Sequence, residues 1–279
     1  LDGTLTNSEK IITPRTKALA VVHFAGLPVD MDAARALAKR RGLGLLEDAA
    51  HAWGTQWKGK GAGALGDIGT FSFQMSKNIT SGEGGIILTD NDELAATARS
   101  ITNCGRREGG AWYGHQIIGG NYRLTELQGA LLLAQLDRLE QQTLKREENI
   151  ALLNAQLQGV PGIHLPPRDP RVTRRSWHLY NFRYVASEFG GLPRAKFLEA
   201  LAAEGVPASP GYMCPVYRNP AFQDLPGAPH KDTCCPVSER LCAEEAVWMT
   251  HSMFLGTADD MMDVARVIRK IQENRNELA

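Results

Sequence analysis

One lysine in this chain stands apart from other charge. Between Asp67 and Glu83 the sequence runs Ile68-Gly69-Thr70-Phe71-Ser72-Phe73-Gln74-Met75-Ser76-Lys77-Asn78-Ile79-Thr80-Ser81-Gly82, with Lys77 as its one charged residue. An amine in such surroundings loses hydration, its pKa falls, and the neutral form becomes a nucleophile or Schiff-base former. The competing reading is a loop lysine reaching for solvent. Upstream, Asp48 and His51 close a short apolar run, Leu43-Gly44-Leu45-Leu46-Glu47, and Ser72 supplies a hydroxyl near the lysine. A carboxylate, an imidazole, a hydroxyl and a lysine together match what pyridoxal phosphate needs. The lysine takes the aldehyde, an aspartate keeps the pyridine nitrogen protonated, and hydroxyls and amides hold the phosphate.

These residues need two strand ends to bring them together. The run 68–73 is β-prone; a polar loop with Lys77 follows, then the bend Gly82-Glu83-Gly84-Gly85, then Ile86-Ile87-Leu88 as a second strand. In open α/β sheets, ligand groups gather at the C-terminal ends of strands, where Asp48 and His51 fall. Asp48 read alone would also suit a helix cap after a strand. Glu83 reads as structural, its flanking glycines permitting a tight bend.

The rest of the chain fits the same class. Asp30 caps a helix through Arg40 that stops at Gly42, linking strands over 18–24 and 43–47 as parallel neighbours. His23 ends the first strand and reads more readily as structural than functional. A helix over 92–102 follows Asp90 or Asn91, and the polar loop 105–120 holds Arg106, Arg107, Trp112, Tyr113 and His115. A long helix over 125–158 repeats Leu127, Leu131, Leu132, Leu136 and Leu139 at helical spacing, which predicts core positions. Beyond Pro166-Pro167 come a strand over 177–185, a helix over 193–204, a Pro/Gly-rich stretch over 207–236 with Tyr212, Tyr217 and Arg218, and a last helix over 258–274.

Composition narrows the class. Lysine plus arginine equals aspartate plus glutamate, 31 against 31, which argues against a dedicated nucleic-acid binder. No apolar run reaches the roughly 20 residues that span a bilayer. Five cysteines in a chain of 279 residues favour a reducing, cytoplasmic setting over a disulfide framework. His230, Cys234, Cys235 and Cys242 lack paired zinc-ligand spacing, so no metal is expected.

Several motifs resemble one family in order. Glu47-Asp48-Ala49-Ala50-His51-Ala52-Trp53-Gly54, Gly66-Asp67-Ile68-Gly69-Thr70-Phe71-Ser72-Phe73, Ser76-Lys77-Asn78, Gly82-Glu83-Gly84-Gly85, Gly120-Asn121-Tyr122-Arg123-Leu124-Thr125-Glu126-Leu127-Gln128 and Ser176-Trp177-His178-Leu179-Tyr180 are similar to segments of the DegT/DnrJ/EryC1/StrS sugar aminotransferases. The resemblance implies an α/β, three-layer αβα large domain of the aspartate aminotransferase type over 1–140. A smaller α+β domain over 141–279 would follow, entered through the long helix. It also implies an upstream segment with a phosphate-binding turn that has no counterpart here, so a truncated chain is expected to expose apolar surface and hold cofactor weakly. By resemblance Lys77 is the Schiff-base lysine, Asp48 the partner of the pyridine nitrogen, His51 a neighbour of the ring, and Ser72 a phosphate donor. Asn121 would reach a phosphate across a homodimer interface, with Arg123 a weaker candidate beside it. The implied reaction moves an amino group from glutamate or glutamine to a keto-sugar, usually nucleotide-linked, by a ping-pong Schiff-base route. Two alternatives stand beside it: a non-catalytic or regulatory relative, and a sugar dehydratase, although dehydratase relatives carry histidine where Lys77 stands.

Overall fold

A computed structural model describes residues 8–224, 226 and 233–278. β1 (Ala18–Val22) leads through α1 (Met31–Arg41) to β2 (Gly44–Asp48), and the two strands pair in parallel. A parallel pair needs a crossover, and α1 supplies it. Asp30 starts α1 by accepting from the Ala33 N–H, and Gly42 ends it in the left-handed region at φ 62°. After the short strands β3 (Gln56–Trp57) and β4 (Lys60–Gly61), β5 (Ile68–Ser72) pairs in parallel with β2. β6 (Gly85–Leu88) returns antiparallel to β5, so the sheet order is β1-β2-β5-β6. The loop carrying Lys77 is therefore the connection between β5 and β6, as its sequence predicts.

α2 (Asp92–Thr102) begins at Asn91, whose side chain accepts from the Glu93 and Leu94 N–H groups. α3 (Glu126–Leu157) runs for 32 residues. Beyond it lie β7 (Ile163–His164), β8 (Val172–Arg174), β9 (Leu179–Tyr184), α4 (Arg194–Ala203) and β10 (Ala246–Thr250). A capping box at Thr257 and Asp260 opens the helix Ala258–Glu273. The chain divides into two compact units, Leu1–Leu144 with Asp169–His178, and Lys145–Arg168 with Leu179–Ala279. In the first, β8 joins β3 and β4 in a second small sheet. In the second, β10-β9-β7 form an antiparallel sheet around a core of Tyr180, Tyr184, Phe189, Phe197 and Phe254, with Tyr184 stacked on Phe197 at 4.5 Å. Among the described residues no helix is long and apolar enough to cross a membrane.

Three expectations change. Leu127, Leu131 and Leu136 are exposed, not core; of the five leucines, Leu132 and Leu139 find cover, against Phe73, Ile79 and Trp53. Helical spacing gives the apolar stripe but not whether something lies over it. The strand expected from 177 starts at Leu179, because Trp177 sits at φ 50°, outside the extended region. The stretch over 207–236 holds short helical turns at Val216–Arg218, Pro220–Gln223 and Pro236–Arg240, and His230 lies outside the described residues. β6, too, is exposed along its length, including Ile86, Ile87 and Leu88.

A buried carboxylate fixes how β2 meets β5. Alternation along β2 puts Leu45 and Glu47 on the buried side and leaves Asp48 half-buried. Glu47 accepts from His23 Nε2 at 2.8 Å and from the N–H groups of Gly63, Leu65 and Gly66 at 2.8, 2.6 and 2.6 Å. Both side chains of the Glu47–His23 pair are fully buried, so His23 is structural here. Burial pushes the Glu47 pKa up, but the His23 and backbone hydrogen bonds outweigh it and hold the value below the ordinary 4.5. Those bonds bend residues 62–66 back against the sheet, where a Cβ on Gly69 would collide with the Gly63 backbone.

Because the folded pKa is depressed, Glu47 contributes its stability above the unfolded value near 4.5 and loses it as pH falls through the folded value. Glu47→Gln is expected to cost about 3–5 kcal/mol at pH 7, since it strands buried partners. Urea midpoints at pH 7 and pH 3.5 check this: the gap between variant and parent should narrow at the lower pH. Equal midpoints at pH 7 would remove Glu47 from this role.

Candidate active site

Two strand ends and one loop build the site. Asp48 is the last residue of β2, and its Oδ1 accepts from the Ala50 N–H at 3.1 Å, which turns the chain toward His51. Ser72 is the last residue of β5; its Oγ accepts from the Gln74 N–H at 3.2 Å and its carbonyl from Trp53 Nε1 at 2.9 Å. The loop beyond is closed at its base, where the Phe73 carbonyl accepts from Ser81 N–H at 3.0 Å and Thr80 Oγ1 at 2.8 Å. From α3, Gln135 grips the Thr80 backbone from both sides, at 3.0 Å to its N–H and 2.6 Å to its carbonyl. Lys77 sits inside that loop, half-buried, its N–H bonded to the Gln74 carbonyl at 2.9 Å.

Electrostatics tie Lys77, Asp48 and His51 together. Burial lowers the Lys77 pKa from its ordinary value, against an opposing pull from the Asp48 charge. His51 falls to about 4, first through burial and then through the Lys77 charge, with Asp48 opposing. The His51 ring is therefore neutral at pH 7. Its Nδ1 accepts from the Ala25 N–H at 3.2 Å, which leaves the ring proton on Nε2. Ala25 holds a left-handed φ of 56° to make that contact, a strain of about 1–2 kcal/mol.

A segment from far along the sequence completes the cluster. The His178 ring lies 4.1 Å from that of His51, tilted by 34°. Ser176 Oγ donates to the His51 carbonyl at 2.6 Å, and the Ser176 N–H donates to Thr55 Oγ1 at 3.0 Å. Thr55 in turn donates to the Gly26 carbonyl at 3.0 Å. Asn78, next to Lys77 and buried, bonds the Ser176 carbonyl and His178 Nδ1, each at 3.2 Å. Sequence reasoning singled out both segments as motifs but gave Asn78, Ser176 and His178 no role. Pairs about a hundred positions apart leave no periodic signal in one sequence.

Of the residues picked from sequence, Asp48, His51 and Lys77 come together, and Ser72 ends the strand from which the Lys77 loop departs. Asn121 does not join them. It lies exposed, bridged to Asn103, and no described contact links it to the other four. Arg123 Nη1 donates to Asn103 Oδ1 at 3.0 Å. The donor set near Lys77 fits pyridoxal phosphate: an amine of lowered pKa, a carboxylate, and a flat neutral imidazole within electrostatic reach of both.

Comparison with known proteins gives a consistent picture. The family model described as the DegT/DnrJ/EryC1/StrS aminotransferase family matches residues 4–272. A putative L-glutamine:3-amino-2,3-dideoxy-scyllo-inosose aminotransferase of Streptoalloteichus tenebrarius is 36% identical over 95% of this chain and 68% of its own length. The 3-amino-5-hydroxybenzoate synthase of Amycolatopsis mediterranei is 36% identical over 92% of this chain and 67% of its own. The chain thus spans about two thirds of the length of these relatives. Among solved structures, 3-amino-5-hydroxybenzoic acid synthase superposes with a TM-score of 0.85 at 34% identity, over 96% of this chain and 70% of that one. DesI, solved in the presence of its TDP-sugar product, gives 0.81 at 29% identity over 100% and 67%. With an aspartate aminotransferase-like fold and a match over nearly its whole length, the chain belongs to the DegT/DnrJ/EryC1/StrS family of pyridoxal-phosphate-dependent aminotransferases.

Proposed function

We propose that this enzyme moves the amino group of L-glutamine or L-glutamate onto a ring ketone of a polyhydroxylated substrate. A keto-cyclitol is the first candidate, because relatives at 36% identity are named for scyllo-inosose substrates. A nucleotide-linked keto-sugar is the second, favoured by the 29% likeness to DesI with its TDP-sugar. The observation that carries the reading is the Lys77 amine, half-buried, lowered in pKa and within the field of Asp48.

Pyridoxal phosphate, when bound, supplies an aldehyde that condenses with amines and a ring that accepts the electron pair left by a departing proton. Lys77 would hold the cofactor and, once released from it, move a proton to and from the substrate carbon. That work needs an amine neutral part of the time, which burial favours. Asp48 would keep the ring nitrogen protonated by its negative charge. His51, uncharged, would offer a flat face and an Nε2–H without competing with that proton. Ser72 would donate to the phosphate. A lysine at position 77 supports transamination over dehydration, and the free thiols found among the described residues suit a reducing cytoplasm. We place Asn121 at a homodimer interface because exposed Ile117, Ile118, Tyr122 and Leu124 surround it in sequence.

Borohydride reduction of the cofactor-loaded protein should leave the cofactor's mass on the peptide containing Lys77, and Lys77→Ala should lose it while keeping its circular dichroism. A label on another lysine would sink the assignment. Asp48→Asn should retain cofactor but lose turnover by about a hundredfold or more, several kcal/mol in the barrier. By histidine NMR, His51 should titrate near 4, rise in Lys77→Ala and fall in Asp48→Asn. Titration above pH 6 in the parent would contradict its burial. Assays with 2-deoxy-scyllo-inosose and with a nucleotide-linked keto-sugar, each with L-glutamine, separate the two acceptor classes.

A further inference from the structure

Asn78 is buried, although it follows Lys77 on a polar loop where an exposed amide would cost nothing. Both ends of its side chain are committed. The Ser176 carbonyl can only accept, so the group facing it at 3.2 Å is the Asn78 amide nitrogen. The amide oxygen then faces His178 Nδ1 at 3.2 Å, and that nitrogen must bear the proton. His178 is thereby held as the Nδ1–H tautomer, its ring 4.1 Å from a His51 ring held by Ala25 as the opposite, Nε2–H tautomer. Ser176 meanwhile bonds the His51 carbonyl at 2.6 Å, so Ser176 and His178 both touch the Lys77 loop and the turn carrying His51.

We propose that Asn78 is a positioning residue for the reaction. Its amide selects the His178 tautomer, seats that ring against His51, and moors the Lys77 backbone to residues 176–178. It touches neither substrate nor cofactor in this scheme; it acts through Lys77 and His51. The inference rests on the assignment of Lys77 as the reactive amine.

Long-range proton–nitrogen NMR of histidine-labelled protein reads the tautomers directly, with His178 assigned by a His178→Gln variant. The parent should show His178 protonated at Nδ1. Asn78→Ala should shift it to Nε2–H and lower kcat tenfold or more, with the KM for glutamine changed less than threefold. Asn78→Asp keeps an acceptor for Nδ1 and should restore the parent tautomer, which an amide serving only as packing would not do. A parent His178 protonated at Nε2 overturns the proposal, and so does an Asn78→Ala protein with the parent tautomer and kcat within twofold. Should Asn78→Ala fail to fold, the parent spectrum and Asn78→Asp still decide. Borohydride labelling of a lysine other than Lys77 would instead remove the underlying assignment, leaving the tautomer readings as they stand.

Discussion

The first unit depends on a charge hidden from water. Glu47 is a full carboxylate with no solvent, stabilised by His23 and three backbone N–H groups of residues 63–66. An ionised group in that position is tolerated only when its oxygens are fully used. The consequence for function is one residue away. Successive side chains on a strand point to opposite faces, so burying Glu47 turns Asp48 toward the other side, at the strand's C-terminal end. The carboxylate that holds the fold and the one we assign to chemistry are neighbours with opposite duties.

The loop carrying Lys77 is held with similar economy. Its base is tied to Phe73, its far side to Gln135 of α3, and its buried Asn78 to residues 176–178. An amine kept partly out of water must be held by its backbone, since a free loop would let it escape to solvent and regain its ordinary pKa. The lowered Lys77 pKa is thus a property of the loop's anchoring more than of any residue beside it.

Much of this was legible in the sequence, for physical reasons that also set the limit. The helix from Asp30 to Gly42 follows from a cap, a periodic face and a glycine stop, all local. The placement of Asp48 at a strand end and of Lys77 on the loop between two strands follows from strand patterns that end in polar residues. What the sequence withheld depends on distant pairing. Glu47 looks like one more acidic residue until the loop over 63–66 folds onto it. Asn78 and His178 acquire meaning only when the chain returns a hundred residues later. Leu127, Leu131 and Leu136 have core spacing yet stand exposed, because periodicity describes one helix and burial needs two partners.

Gly26 and Ser176 form a contact with consequences for how this protein can change over generations. Gly26 has a φ of 80°, and a Cβ there would collide with the Ser176 hydroxyl. Ser176 uses its hydroxyl, N–H and carbonyl on three different residues, His51, Thr55 and Asn78. Trimming Ser176 to alanine would open room beside Gly26 but strip the His51 carbonyl of its donor, and filling Gly26 would strain its backbone as well. Each of these two changes taken alone is expected to cost stability. The pair is coupled in the folded chain, and the geometry around His51 depends on two residues to which we assign no chemistry.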